Sequence, residues 1–459
     1  MRLATSLFIV LCINMIAYGQ MQPNYAQELY NLLMTGRNFE AKEYKLKHQD
    51  HLPADFDLVY NMHMALAFNQ PDSVITYFEE FLSNPQRINT IGPIVSVYFI
   101  RLCETYEAKQ QFEKSISTVE KHLAYLKENP YSLPDDAINK EIEDAKSKIM
   151  ALDDKQKKEP ARSISWVDKN IEIKLKEDNH IRFDAYYNGQ LLETYFDTGV
   201  TEYCILEKDL ADKIGVKYIL KQDSIRNING KPFKAMEGYL DSIEIMGIKL
   251  YNIPVGVLFD KFIAHIPNGT TPDFKQNLAE NLLKSKQVIF GLPAMKMLGR
   301  FEFDWKSNTL VIPHPKVQES NNASPRSNIM FIAETPYINM KINSRDFVGF
   351  LDMGSDHNLF LTYSFFFKSN SDYIKNDTQN QPYSRIGFLD IQENIERQRV
   401  ENPTVEFGGK KINPVKLHGE IFAVANINNF DGEVGLSFFK NTFSKTIFDF
   451  NSMTIECQE

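Results

Sequence analysis

Two hydrophobic periodicities divide the chain. Up to about residue 155, apolar positions recur at helical spacing, as in Tyr25-Ala-Gln-Glu-Leu-Tyr-Asn-Leu-Leu33, where they fall at i, i+3, i+4 and i+7. Gly36-Arg-Asn-Phe-Glu-Ala-Lys42 predicts the turn into a paired helix. Val95 to Tyr106 leads through Lys109-Gln-Gln-Phe112 to Ile116–Leu123 and closes at Asn129-Pro130, which predicts a helical hairpin. Val74–Leu82, followed by Asn84-Pro85, predicts the second helix of another. The charged run Asp153-Asp-Lys-Gln-Lys-Lys-Glu-Pro160 predicts a linker.

From Ser163 the period changes to two, with aromatic and β-branched residues between turn signals, which predicts short strands. A single stretch of this strand-rich region occurs twice, as Tyr195-Phe-Asp-Thr-Gly-Val200 and as Phe350-Leu-Asp-Met-Gly-Ser355. In each, an apolar pair runs into an aspartate, and a glycine follows one residue later to allow a tight turn. The context repeats as well. Asp197–Leu206 lies over Asp352–Leu361 without a gap, and Ile181–Gln190 corresponds to Ile338–Arg345, an alternating strand and a polar hairpin turn. Further on, Val288-Ile-Phe-Gly-Leu-Pro293 is matched by Gly432-Glu-Val-Gly-Leu436, and each is followed by two more short strands. The 155-residue spacing of the two aspartates is far too long for a solenoid repeat and predicts a duplicated lobe. Gln318–Asn328, polar and turn-rich, predicts the link between the lobes.

These residues resemble the aspartic proteases, in a two-lobed, single-chain pepsin-like arrangement with retropepsin-like lobes, over roughly residues 163–459. The resemblance implies a multidomain fold of α plus all-β regions, in which a helical-hairpin N-terminal region precedes a bilobal β-barrel pair with pseudo-two-fold symmetry. It makes Asp197 and Asp352 a catalytic dyad, supported by Thr198, Gly199, Gly354 and Ser355, with Ile289-Phe290-Gly291 and Glu433-Val434-Gly435 beneath the turns. The Ile225–Lys234 segment, with its Asn229-Gly230 hairpin signal, becomes a flap candidate, an ordinary surface hairpin being the alternative. Two carboxylates a few ångströms apart share a proton and titrate as a pair. The ionised one takes a proton from water, and the protonated one hydrogen-bonds the scissile carbonyl oxygen. The second motif departs from the family: Met353 lacks the hydroxyl that Thr198 has, while Ser355 carries one where the first lobe has Val200. Two readings follow, an aspartic endopeptidase or a non-catalytic peptide- or protein-binding module on the same fold. The helical region resembles tetratricopeptide-type hairpins, so its role is either to bind a protein partner on a concave face or to act as a spacer or pro-region.

The start of the chain carries an apolar run from Leu7 to Ile13, with Ala17 and Gly19 as small residues before Gln20. This predicts a signal peptide at 1–19 and an exported, periplasmic or extracellular protein. No other segment is long and apolar enough for a membrane span. The net charge of −9 and the lack of a dense Lys/Arg block argue against nucleic acid as partner. The expected division is 20–160 for the helical region, 161–316 for the first lobe and 317–459 for the second. Cys103, Cys204 and Cys457 imply no disulfide framework and read as small apolar residues. His48 and His51 lack partners at ligand spacing and read as surface residues, and His357 as a solvated turn histidine. No metal or cofactor is expected; the expected substrate is a peptide or protein.

Overall fold

The structure, a computed structural model, describes residues 24–53, 56–129, 135–177, 179–226, 232–259, 287–318, 327–362, 364–365, 374–375, 383–387, 390–395, 397–401, 403–412, 418–422 and 430–459. Residues 1–19, Pro130, the flap candidates Asn229 and Gly230, and most of the expected inter-lobe link lie outside these. No helix among the described residues is long and apolar enough to cross a membrane. The chain forms two compact units, divided at His63/Met64.

The first unit holds helices α1 (Tyr25–Met34) and α2 (Asn38–His48) and the start of α3 (Phe56–Ala67). Asn24 caps α1 by accepting the Gln27 amide N–H. His48 and His51 both stack on the Tyr25 ring, at 4.7 Å each, and so serve in aromatic packing.

The second unit continues through α4 (Pro71–Leu82), α5 (Pro85–Ile91), α6 (Val95–Ala108), α7 (Phe112–Glu128) and α8 (Asp135–Lys158). Cys103, Phe112, Val119, Ala145 and Leu152 bury a common core between α6, α7 and α8. The charged run 153–160 is not a loop. Residues 153–158 of it form the last turns of α8, with Lys157–Asp153 and Lys158–Asp154 pairs at i,i+4. On the inner face, Lys155 lies 2.9 Å from Glu107 of α6 and 2.6 Å from Glu237 of the β-region. Arg162 reinforces the junction, donating to the carbonyl of Ala108 and to the Tyr203 hydroxyl.

The β-region follows. Its strands are β1 (Ser163–Ser165), β2 (Ile171–Lys174), β3 (Arg182–Tyr187), β4 (Gln190–Asp197), β5 (Cys204–Glu207), β6 (Lys217–Arg226), β7 (Pro232–Ile245), β8 (Ile248–Leu258), β9 (Val288–Gly291), β10 (Arg300–Asp304) and β11 (Thr309–Ile312). Then come β12 (Ile329–Ile332), β13 (Thr335–Ile342), β14 (Arg345–Asp352), β15 (Leu359–Leu361), β16 (Ile374–Lys375), β17 (Tyr383–Gly387), β18 (Asp390–Ile395), β19 (Arg397–Glu401), β20 (Val405–Phe407), β21 (Lys410–Ile412), β22 (His418–Phe422), β23 (Gly432–Gly435), β24 (Lys445–Asp449) and β25 (Thr454–Gln458). With the helices before it, this makes a multidomain α+β protein.

One sheet runs β8-β5-β9-β4-β3 through its middle, and another runs β22-β15-β23-β14-β13. The pairing directions agree: β4 is parallel to β9, as β14 is to β23, and β5 is antiparallel to β9, as β15 is to β23. The hairpin turns Asn188-Gly189 and Asn343-Ser344 also correspond, all four residues having positive φ, as a two-residue loop between twisted strands requires. A third sheet, β2-β11-β10-β24-β25, joins strands from both halves through the β10–β24 register Phe301↔Phe448. Phe196, Phe290, Phe301, Phe303, Phe438 and Phe448 pack into one continuous core beneath these sheets. Cys204 lies in the same core, and Cys103, Cys204 and Cys457 are free thiols.

Candidate active site

The duplicated turns sit at the ends of β4 and β14, and the parallel neighbour fixes each of them. Asp197 is in register with Gly291 of β9, and Asp352 with Gly435 of β23. Each chain leaving the aspartate is then bonded back to the same neighbour. Gly291 N–H donates to Tyr203 O at 2.9 Å and Leu292 N–H to Val200 O at 2.9 Å; Gly435 N–H donates to Asn358 O at 3.1 Å and Leu436 N–H to Ser355 O at 2.8 Å. The glycines of β9 and β23 are needed for this approach, because a Cβ on Gly291 would stand 2.9 Å from Val200 O, and one on Gly435 3.0 Å from Ser355 O.

Within each turn the aspartate is oriented by its own loop. Gly199 N–H donates to Asp197 Oδ1 at 2.8 Å, and Gly354 N–H to Asp352 Oδ1 at 2.9 Å. Neither turn glycine has positive φ, so the demand on these positions is space. A Cβ on Gly199 would lie 3.1 Å from Asp197 Oδ1 and 3.4 Å from Asp352 Oδ1. One on Gly354 would lie 2.6 Å from Asp197 Oδ1. The two carboxylates therefore converge on the same glycines, and both aspartates are half-buried.

Hydrogen bonds of the Thr198 and Tyr195 side chains cross between the turns. Thr198, 1% exposed, donates its hydroxyl to Leu351 O at 2.8 Å and accepts Met353 N–H at 2.9 Å. Met353, wholly buried, packs into the core instead. Tyr195 donates to Gly354 O and meets His180 Nδ1 at 2.9 Å. Its phenol is pushed well above the ordinary tyrosine range, first by burial and then by the carboxylates Asp197, Asp352 and Asp356, so it remains a neutral donor. The matching residue of the second turn, Phe350, brings its ring against Gly199.

The hydrogen bond of the Ser355 hydroxyl runs to His357 Nδ1, at 2.5 Å. His357 is not a solvated turn residue. Its ring is mostly buried, and Nε2 lies 3.1 Å from Oε1 of Glu433, itself 4% exposed. The signal for this arrangement was Glu433, a charge in a strand whose counterpart in the first half is Ile289. Among the described residues there is no cluster of three or more His, Cys, Asp or Glu that could hold a metal ion.

A family model described as aspartyl protease matches residues 183–282, a segment that contains the Asp197 turn. Among solved structures, a retropepsin-like aspartic protease from Rickettsia conorii aligns with 34% of this chain and 94% of its own, at 20% identity and a TM-score of 0.22. No curated protein matches the chain. The segment that carries the first aspartate turn is thus similar to the aspartyl protease family.

Proposed function

We propose that the protein is an exported aspartic endopeptidase that hydrolyses peptide bonds with Asp197 and Asp352. The observation that carries this reading is the convergence of both carboxylates on Gly199, with Thr198 tying the two turns together. Two carboxylates held this way share one proton, because ionising both costs too much at short range. The charged member takes a proton from a water between them, and the neutral member donates to the substrate carbonyl oxygen as it becomes tetrahedral. The backbone N–H groups of Gly199 and Gly354 hold each carboxylate in place while the proton moves. This chemistry needs no metal, cofactor or covalent intermediate.

In this reading residues 161–316 and 317–459 are two barrel-like lobes related by a pseudo-two-fold axis, and the matching strand orders of the two sheets support it. Residues 20–160 form a tetratricopeptide-like helical region that receives a protein partner or spaces the lobes. Residues 1–19 are a signal peptide that directs the chain to the periplasm or the exterior.

A second reading, a peptide-binding module without turnover, draws on Met353, which leaves the second turn without a reciprocal hydroxyl. The test is digestion of a diverse peptide mixture by the purified protein from acidic to neutral pH, read by mass spectrometry beside Asp197→Asn. New termini that Asp197→Asn fails to produce support the peptidase. Folded protein that cleaves nothing at any pH, yet retains peptides, supports the module.

A further inference from the structure

Helix α6 ends at Ala108, and the carbonyls of its last turn need donors from outside the helix. Arg162 supplies them, its guanidinium lying 2.9 Å from Ala108 O and 3.4 Å from Glu107 O. The same guanidinium sits over the Tyr203 ring, 5.1 Å from its centre, and donates to the Tyr203 hydroxyl. Tyr203 belongs to the loop that leaves the first aspartate turn. We propose that helices α6–α8 are a brace that holds this turn in its working shape, with Arg162 as the positioning residue. The consequence for rate rests on the peptidase reading; the effect on the loop does not.

Two routes lead from the helices to the turn. The first is the backbone of Tyr203. Its carbonyl accepts Gly291 N–H at 2.9 Å, and Gly291 is in register with Asp197. A side chain anchored to the helices therefore fixes a carbonyl that fixes the neighbour of Asp197. Arg162 is itself held in place. Its backbone N–H donates to Gln110 Oε1 at 2.8 Å, and Gln110 Nε2 donates back to Glu159 Oε1 and Pro160 O, each at 2.9 Å. The guanidinium is always charged, so this route does not titrate.

The second route is the β6–β7 hairpin. Lys158 donates to Ile219 O on β6 at 3.3 Å, and Lys155 pairs with Glu237 on β7 at 2.6 Å. Leu220 and Glu237 are in register, so α8 grips both strands at one level of the hairpin. Glu107 shares Lys155 and ties that grip to α6. Farther along the hairpin, Ile225, Phe233 and Ala235 pack with Tyr195 and Val200 in one apolar cluster. Both routes thus end on the first turn. In the second half the carbonyl that matches Tyr203 O belongs to Asn358, and it accepts Gly435 N–H. The helices meet that half at Asn69, whose side chain donates to Phe450 O at 3.1 Å, just past β24. The brace acts on Asp197, and the Asp352 turn is its internal control.

The test is amide hydrogen exchange of the full chain, read by mass spectrometry on peptides from both turns, in Arg162→Ala and Tyr203→Phe. In Arg162→Ala, peptides covering 198–206 and 288–292 should exchange about tenfold faster, the equivalent of one lost hydrogen bond to a charged group. Peptides covering 353–361 and 432–436 should not change. Tyr203→Phe keeps the ring and loses only the hydroxyl, so it should give the same pattern at smaller amplitude, and it carries the test if Arg162→Ala does not fold. Arg162→Lys keeps the charge without the planar fork and should recover part of the protection. In an active enzyme, kcat should fall about 10- to 100-fold in Arg162→Ala with KM unchanged. Exchange that stays the same in the first turn, or rises equally in both turns, overturns the brace. So does a rise in kcat, which is what release from a pro-region covering the cleft would give. Failure of the peptidase reading is distinct: the wild-type protein would cleave nothing while the exchange pattern and its response to the variants remain.

Discussion

Thr198 and Met353 occupy the same place in the two turns, yet only Thr198 bonds across, giving its proton to Leu351 O and accepting the Met353 N–H. All the hydroxyl-mediated coupling at this pair of positions therefore passes through one side chain. Thr198→Val keeps its shape and removes both bonds, leaving a buried carbonyl and a buried N–H to find other partners. The expected cost is about 1–3 kcal/mol of stability. Peptidase kcat should fall more than KM rises, because the variant disturbs alignment and leaves substrate contacts alone. Chemical denaturation and steady-state kinetics on the same preparation check both.

Gly354 holds the carboxylate of its own turn through its N–H, but its Cβ direction looks straight at the carboxylate of Asp197. Gly354→Ala places a methyl group where that carboxylate now sits, so Asp197 must move. A displacement of about 1 Å at a reacting group costs roughly 100-fold in rate. Gly354→Ala should therefore lose about that much kcat while far-ultraviolet dichroism stays unchanged. Gly199→Ala meets looser contacts of 3.1–3.4 Å and should lose less.

Tyr195 provides a second tie, from the first turn to Gly354 O. Tyr195→Phe should cost about 1 kcal/mol. Because it and Thr198 hold the same opposing turn, their effects should not add. A double-mutant cycle with Thr198→Val should return a coupling of at least about 0.5 kcal/mol.

Acid should weaken the helices of the second unit in two stages. His122, beside Ser96 and stacked on Phe99, is lowered by burial to about 4. Its folded value lies below the unfolded 6.5, so the stability it contributes is complete above pH 6.5 and is lost as pH falls toward 4. Burial would raise Glu107, but Lys155 and Lys148 outweigh it and bring it down to about 2. Its contribution is therefore present above pH 4.5 and disappears between there and about 2. Thermal melting across pH should show both declines. His122→Phe should flatten the first and Lys155→Met the second, each without moving the other.

Several of these features could be read from the chain beforehand because they are local. The aspartate turns, the Asn188-Gly189 hairpin and the short segments ending in Gly291 and Gly435 are each written in consecutive residues. The structure differs where distant residues meet. His357 reads as solvated because nothing near it in sequence covers it; Glu433, on another strand, gives it a partner. The run at 153–160 reads as a linker because charge usually marks solvent. Lys155 is buried there because Glu107 and Glu237, far off on either side in sequence, converge on it. Tyr195 reads as a core strand residue, and only the approach of the second turn turns its hydroxyl into a bridge.

Lys155 also sets a limit on how this protein can be divided or inherited. It is the shared counter-charge of a carboxylate in the helices and one on β7. A gene fusion or domain exchange that carried only the strand-rich region would leave Glu237 without its cation. The smallest segment that can move between proteins intact thus begins upstream of Lys155, inside the helical region, and not at the change of periodicity near residue 163.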